Sequence, residues 1–171
     1  MFKKIAALGA AAALCVGLMS GCGAASTTAT NGYSAENPLV LTLAHGLSET
    51  HTVHIAMTQF AEEVNEKTDG RIQVKIFPNG QLGSENENLE QLQAGVIAMT
   101  KVSAPGLATY NDAFNTFGLP YIFNDTDDFY HVMDSQEMQD FFLSTGDDGF
   151  VTLTYYTSGA RSFYTKDKAI R

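Results

Sequence analysis

The chain has 171 residues, 44% of them hydrophobic, and a formal net charge of −9 at neutral pH. This length and this apolar content are those of one ordinary domain with a buried core. The acidic balance, with no cluster of lysines and arginines, argues against nucleic acid as a partner.

The first 21 residues have the parts of a secretory signal. Met1–Lys4 is basic, and Ile5–Met19 is apolar and rich in small residues. This apolar run is shorter than the roughly 20 residues that a membrane-spanning helix needs. Small residues then precede Cys22, and the segment resembles a bacterial lipobox. The resemblance implies that residues 1–21 are a lipoprotein signal peptide and that Cys22 is lipidated. An ordinary secreted protein cut nearby is the alternative.

Residues 22–37 are small, polar and aperiodic, which is typical of a flexible tether. Such a tether would hold the domain, predicted over residues 38–171, close to the outer face of the cell membrane. Cys15 leaves with the signal, so the mature chain keeps one cysteine and forms no internal disulfide.

An apolar run rich in branched side chains, Leu39–His45, predicts a first buried strand. A helix follows, because apolar residues recur at helical spacing and glutamates occupy the opposite face. The apolar positions of this helix are Val53, Met57, Phe60 and Val64. We expect the helix to end at Asp69-Gly70.

A second strand is predicted where apolar and polar residues alternate. Its apolar positions are Ile72, Val74 and Ile76. Pro78-Asn79-Gly80 then favours a chain reversal, because proline fixes its φ and glycine tolerates a positive one.

A second helix begins at Ser84, since Ser84 and Glu87 have the spacing of a capping box. Gly95 lies where a left-handed residue ends a helix. The predicted buried face comprises Leu89, Leu92 and Val96. A third strand is predicted over Ile97–Ser103.

This alternation of strands and helices predicts an α/β fold, with a parallel-rich sheet and flanking helices. Ligands of such sheets bind beyond the carboxyl ends of the strands. His45-Gly46, Pro78–Gly80 and Ser103–Pro105 are therefore expected along one edge.

The second half of the chain is less regular. Pro105–Phe117 predicts a short helix and a loop, and Pro120 argues against a central strand. Two further helices are expected after Asp125 and Ser135, and alternation over Gly149–Tyr156 predicts a strand. The apolar residues expected to be buried by the two helices are Phe129, Val132, Met133, Met138, Phe141 and Phe142.

The common motifs of catalysis are absent from the sequence. It has no glycine-rich phosphate loop, nucleophile elbow, CxxC pair or HExxH motif. His51 and His54 could bind a metal with His45, but a polar face at a helix start explains their spacing better. We therefore predict no enzyme, no cofactor and no metal.

Arg161 is the first cationic residue after Lys101, and it follows a predicted strand among polar and aromatic residues. Its guanidinium matches a carboxylate with two parallel hydrogen bonds, which an ammonium cannot do. On this ground alone, Arg161 either pairs with a neighbour such as Asp147 or binds an anion.

Several motifs after the tether recur together in one protein family. They are Phe60–Val64 with Thr68–Gly70, Phe77–Gly83, Glu90–Gly95, Leu119–Phe123 and Gly159–Arg161. On these motifs the chain resembles the extracytoplasmic solute receptors of tripartite ATP-independent periplasmic (TRAP) transporters, the DctP-like family.

The resemblance implies a type II-like lobe of a periplasmic binding protein. Such a receptor captures an organic acid and hands it to a membrane permease driven by an ion gradient. Arg161 matches one of the family's carboxylate-contacting arginines. Ala44, His45 and Ser103 match places where members of the family contact their ligand.

The resemblance covers only the N-terminal lobe and the first crossover to the other lobe, since members of the family continue well beyond position 171. One lobe cannot enclose a ligand, and pockets normally bury roughly 70–90% of theirs. We therefore expect the chain alone to bind organic acids weakly or not at all. A truncated, non-binding fragment of such a receptor and another surface lipoprotein binding module are the alternatives.

Overall fold

The computed structural model describes residues 32–160 and 164–168. Cys22 and Arg161 lie outside the described residues. The helices and strands of the described ranges belong to the compact unit that begins at Ser34. Residues 34–37, at the end of the predicted tether, form a turn in which Ser34 and Asn37 exchange backbone hydrogen bonds of 3.1 and 3.2 Å.

A parallel sheet of three strands, in the order β2–β1–β3, lies at the centre of the fold. The strands are β1, Leu39–Ala44; β2, Ile72–Phe77; and β3, Met99–Thr100. β1 pairs with β2 along its whole length, while β3 pairs only with the last two residues of β1. The α/β prediction, with its parallel-rich sheet and flanking helices, is confirmed.

Helix α1, Thr52–Lys67, packs its apolar face on the sheet. His51 caps its first turn, because the ring Nδ1 accepts a hydrogen bond of 3.1 Å from the Val53 N–H. Burying each apolar side chain stabilises the fold by about 1.5–3 kcal/mol. The core between helix and sheet comprises Leu43, Val53 and Met57, with Leu47, Val74, Ile76 and Met99 around them.

Helix α2, Glu85–Gln93, begins with the predicted capping box. The Ser84 hydroxyl accepts from the Glu87 N–H, and a Glu87 carboxylate oxygen accepts from the Ser84 N–H at 2.8 Å. Gly95 has a φ of 71°, as expected of a left-handed end. The prediction that Val96 is buried is wrong: it is 67% exposed, because the chain has already left the helix there.

The second half of the chain packs short helices around aromatic side chains. They are α3, Ala104–Leu107; α4, Thr126–Met133; and α5, Gln136–Ser144; with 3₁₀ turns at Asp112–Gly118 and Thr145–Asp148. Leu89, Leu107, Phe114 and Phe150 form the buried centre of this second core. Within the described ranges, no helix combines the length and the apolar character that a membrane crossing requires.

Three further predictions differ from the structure. The third strand is shorter than Ile97–Ser103, because only Met99 and Thr100 find partners on β1. Residues 149–156 form no strand within the described part of the chain. Phe150 is instead buried in the second core, and the Thr152 N–H donates to the Thr145 hydroxyl at 2.9 Å. Val132, expected inside, is exposed on α4.

Candidate functional site

The three strands end at one edge of the sheet, where hydrogen bonds tie the following residues together. The Gly80 N–H donates to the His45 carbonyl at 3.0 Å, and the Lys101 N–H donates to the Ala44 carbonyl at 3.0 Å. We call this edge the rim. It comprises residues 44–47, 78–80 and 101–103.

Ala44 and His45 form the floor of the rim, since both are fully buried. The His45 N–H donates to the Phe77 carbonyl at 3.0 Å, and the Thr100 hydroxyl donates to the Ala44 carbonyl at 3.1 Å. The Ala44 carbonyl therefore already accepts a hydrogen bond, as does the His45 carbonyl from the Gly80 N–H. Direct contact between a ligand and either residue stays a prediction.

The His45 ring is held in one neutral tautomer. Its Nδ1 accepts from the Leu47 N–H at 3.1 Å, so its proton resides on Nε2, which faces His54 Nδ1 at 3.0 Å. Burial lowers the pKa of His45, and nearby His54, Lys101 and His51 lower it further. His45 is therefore neutral at physiological pH.

The three histidines do not form a metal site. His51 caps α1, and its Nδ1 accepts a hydrogen bond from the Val53 N–H. His45 and His54 form a hydrogen bond with each other. Across residues 32–160 and 164–168, no three His, Cys, Asp or Glu side chains are arranged to hold a metal ion.

Ser103 lies on the rim and contacts the carboxylate of Glu85, which in turn pairs with Lys101. Glu85 Oε2 accepts hydrogen bonds from the Ser103 N–H at 3.0 Å and from the Ser103 hydroxyl at 2.6 Å. Glu85 Oε1 pairs with the Lys101 ammonium at 2.9 Å. We call Glu85, Lys101 and Ser103 the rim cluster.

Glu85 remains a carboxylate in the rim cluster. Burial alone would raise the pKa of its carboxyl, but the hydrogen bonds from Ser103 and Lys101 outweigh burial and hold the pKa below its usual value. One signal in the sequence could have drawn attention to the cluster. Lys101 is the only lysine or arginine between Lys75 and Arg161.

An open groove of about 400 Å³ lies beside the first turn of α1. It is lined by Thr52, Val53, Ala56, Tyr130, Asp134 and residues 154–157. The Tyr155 hydroxyl donates to Asp134 Oδ1 at 2.7 Å. Burial, with Asp134 and Tyr130, raises the pKa of Tyr155 to about 12, so its hydroxyl stays protonated.

The chain matches a protein-family model and many known proteins. Residues 43–171 match the model of bacterial extracellular solute-binding proteins, family 7 (DctP). The chain is 36% identical over 140 residues to the uncharacterized Salmonella typhimurium protein YiiZ, a match that covers 81% of this chain and 42% of the relative.

Solved structures of TRAP periplasmic solute-binding proteins share the fold. One from Anaerococcus prevotii, with bound D-glucuronate, is 34% identical with a TM-score of 0.70, over 77% of this chain and 43% of that one. Another from Sulfurospirillum deleyianum, with bound succinate, is 29% identical with a TM-score of 0.65, over 71% and 39%.

The chain spans less than half the length of each of these relatives. Within that span, the family model covers the last two residues of β1, the whole of β2 and β3, and the helices around them. This match runs through nearly all of the residues after the predicted tether. The chain therefore belongs to family 7 of the bacterial extracellular solute-binding proteins.

Proposed function

We propose that this chain contributes to an extracytoplasmic receptor that captures an organic acid and delivers it to a TRAP permease in the membrane. The observation that carries the proposal is the rim, where polar side chains gather beyond the carboxyl ends of parallel strands. Family membership supports it, as do the relatives with bound glucuronate and succinate.

We propose binding without catalysis at the rim. A hydrolase would need a nucleophile that donates to an effective base. The Ser103 hydroxyl donates to the Glu85 carboxylate, but the pairing with Lys101 helps to lower the pKa of that carboxyl and makes it a weak base. The ring nitrogens of His45 are occupied by Leu47 and His54. Neither residue is poised for nucleophilic attack.

The ligand-contacting residues that we propose are Arg161, Ser103, His45 and Ala44. Arg161 would bind the acid group, because its guanidinium offers two parallel donors to a carboxylate. Ser103 is exposed on the rim, whereas Ala44 and His45 are buried in the described residues and would contact a ligand only after a local rearrangement.

The test compares D-glucuronate with D-glucose, which has the same ring but no carboxylate. The full receptor that contains this chain is titrated with each compound and followed by NMR, which detects millimolar affinities. We expect D-glucuronate to shift the amide resonances of the rim and D-glucose to leave them unchanged. Equal responses to the two, or none to either, would contradict the proposal.

Arg161→Ala should remove the preference for the acid. In the full receptor, leaving a carboxylate unpaired in a dry cleft costs roughly 2–5 kcal/mol of binding free energy. Arg71→Ala is the matched control, because Arg71 precedes β2 at the opposite end of the sheet and its Nε donates to the Thr68 carbonyl. An unchanged D-glucuronate affinity in Arg161→Ala would remove this residue from the site.

We also propose that Cys22 is lipidated after cleavage of residues 1–21, which anchors the receptor to the outer face of the cell membrane. Two or more acyl chains hold a protein stably on a bilayer, whereas one exchanges. Cys22→Ser should move the protein from the membrane fraction to the soluble one. Cys15→Ser, within the proposed signal, should not. Retention of the Cys22→Ser protein on membranes would contradict the anchor.

A further inference from the structure

The rim cluster presents one available hydrogen-bond acceptor position and two available donors side by side. Glu85 Oε2 already accepts two hydrogen bonds from Ser103, whereas Oε1 accepts one, from Lys101. A carboxylate oxygen can accept two, so Oε1 has one position left. Within the described residues, the Lys101 ammonium makes this single contact, which leaves two of its three N–H groups available.

The cluster is accessible and carries no net charge. The side chains of Lys101 and Glu85 are 22% and 32% exposed, so a small molecule at the rim can reach both. Lys101 offsets Glu85, and the neighbouring His45 is neutral because its two ring nitrogens bind Leu47 and His54. The described rim therefore has no positive charge to spare for an anion.

Adjacent hydroxyl groups match this arrangement. A hydroxyl both donates and accepts, so one hydroxyl can donate to Glu85 Oε1 while its neighbour accepts from Lys101 Nζ, 2.9 Å away. A carboxylate in the same place only accepts. It would compete with Glu85 for Lys101 and would lie against a like charge.

We propose that the rim cluster determines ligand specificity by receiving adjacent hydroxyl groups of the ligand and rejecting a second carboxylate. The ligand class is a hydroxylated acid with a single carboxylate, rather than a dicarboxylate. This inference rests on the proposed function, in which the acid group of the ligand is bound outside the cluster.

The test compares D-gluconate with D-glucarate, which share their secondary hydroxyls and differ only in that the last carbon of D-glucarate is a carboxylate. NMR titration of the full receptor that contains this chain follows the amide resonances of Lys101 and Ser103. We expect D-gluconate to shift them at concentrations on the order of 10- to 100-fold lower than D-glucarate, since like charges in a cleft repel strongly. Equal potency, or a preference for D-glucarate, would overturn the inference and leave the proposed function standing. A lack of response to both acids and to D-glucuronate would reject the two together.

Glu85→Gln distinguishes specificity from a structural role. The amide removes the like charge and frees Lys101, so the preference for D-gluconate should vanish or reverse. If Glu85 were purely structural, the substitution would weaken the binding of both acids equally, and that result would overturn the assignment of Glu85. Glu87→Gln is the matched control, because Glu87 also accepts from a serine N–H and hydroxyl, those of Ser84, but lies outside the cluster. If Glu85→Gln fails to fold, the ratio of the D-gluconate and D-glucarate affinities of the unchanged protein still tests the inference.

Discussion

At the scale of single residues, hydrogen-bond partners decide what each side chain can do. Sequence motifs pointed to His45 and Ser103 but gave no sign of their partners. The ring of His45 binds a helix residue nine positions away, and Ser103 binds a carboxylate 18 positions away. Both partnerships depend on how the strands end at the rim, which local patterns do not encode. The rim cluster was therefore found only in the structure.

His45 should make stability depend on pH. Its pKa in the folded chain is lowered from the ordinary value of 6.5, chiefly by burial. Below that value the unfolded chain binds a proton that the folded chain does not, so the free energy of unfolding falls as the pH drops below 6.5 toward the lowered pKa. Above 6.5 this contribution is fully present and constant.

Urea unfolding at neutral and at mildly acidic pH measures this effect. We expect His45→Gln to flatten the fall in unfolding free energy between the two conditions. His131→Gln, at an exposed position on α4, should keep the fall unchanged. The same fall in all three proteins would show that other groups cause it.

At the scale of elements, predictions that rest on neighbouring residues were largely correct, whereas predictions of strands that need distant partners were not. The capping box and the alternation over β2 each lie within a few residues, and both are confirmed. The apolar face of α1 is confirmed at Val53 and Met57, whereas Phe60, predicted on the same face, is 41% exposed. The third strand and the strand over residues 149–156 depended on partners elsewhere in the chain. β3 has only Leu43 and Ala44 opposite it, so its remaining residues stay outside the ladder.

The capping box of α2 should contribute measurably to stability. Ser84→Ala leaves the Glu87 N–H without its acceptor, and the loss of such a cap costs about 1 kcal/mol of unfolding free energy. Ser84→Thr keeps a hydroxyl and should retain most of the stability. Chemical denaturation of the two variants and the unchanged chain measures the difference. Equal midpoints for the unchanged chain and the Ser84→Ala variant would contradict the role of the cap.

At the scale of the whole molecule, the segment 151–156 leaves apolar side chains uncovered. Val151 and Leu153 are 49% and 70% exposed in a segment that has no strand partner within the described residues. Extended, apolar and unpaired segments pair readily with a second chain. We therefore expect this chain to associate with further copies of itself through residues 151–156.

Leu153→Lys should reduce that self-association, because a charge in an unpaired apolar segment opposes pairing with a second chain. Leu143→Lys is the control, since Leu143 is similarly exposed, at 65%, but lies on helix α5. Sedimentation velocity over a range of protein concentrations measures the association state. A monomeric unchanged chain at every concentration, or an equal effect of both substitutions, would contradict this prediction.

A series of hydrogen bonds through His45 joins the rim to helix α1. The Leu47 N–H donates to His45, His45 donates to His54, and the Thr58 hydroxyl donates back to the His54 carbonyl at 3.0 Å. Tilting the helix away from the edge would leave the buried Nε2 proton of His45 without an acceptor, at a cost of about 1–3 kcal/mol. The hydrogen bond between His45 and His54 therefore resists any tilt of the helix away from the edge, and it helps to keep the rim in one shape.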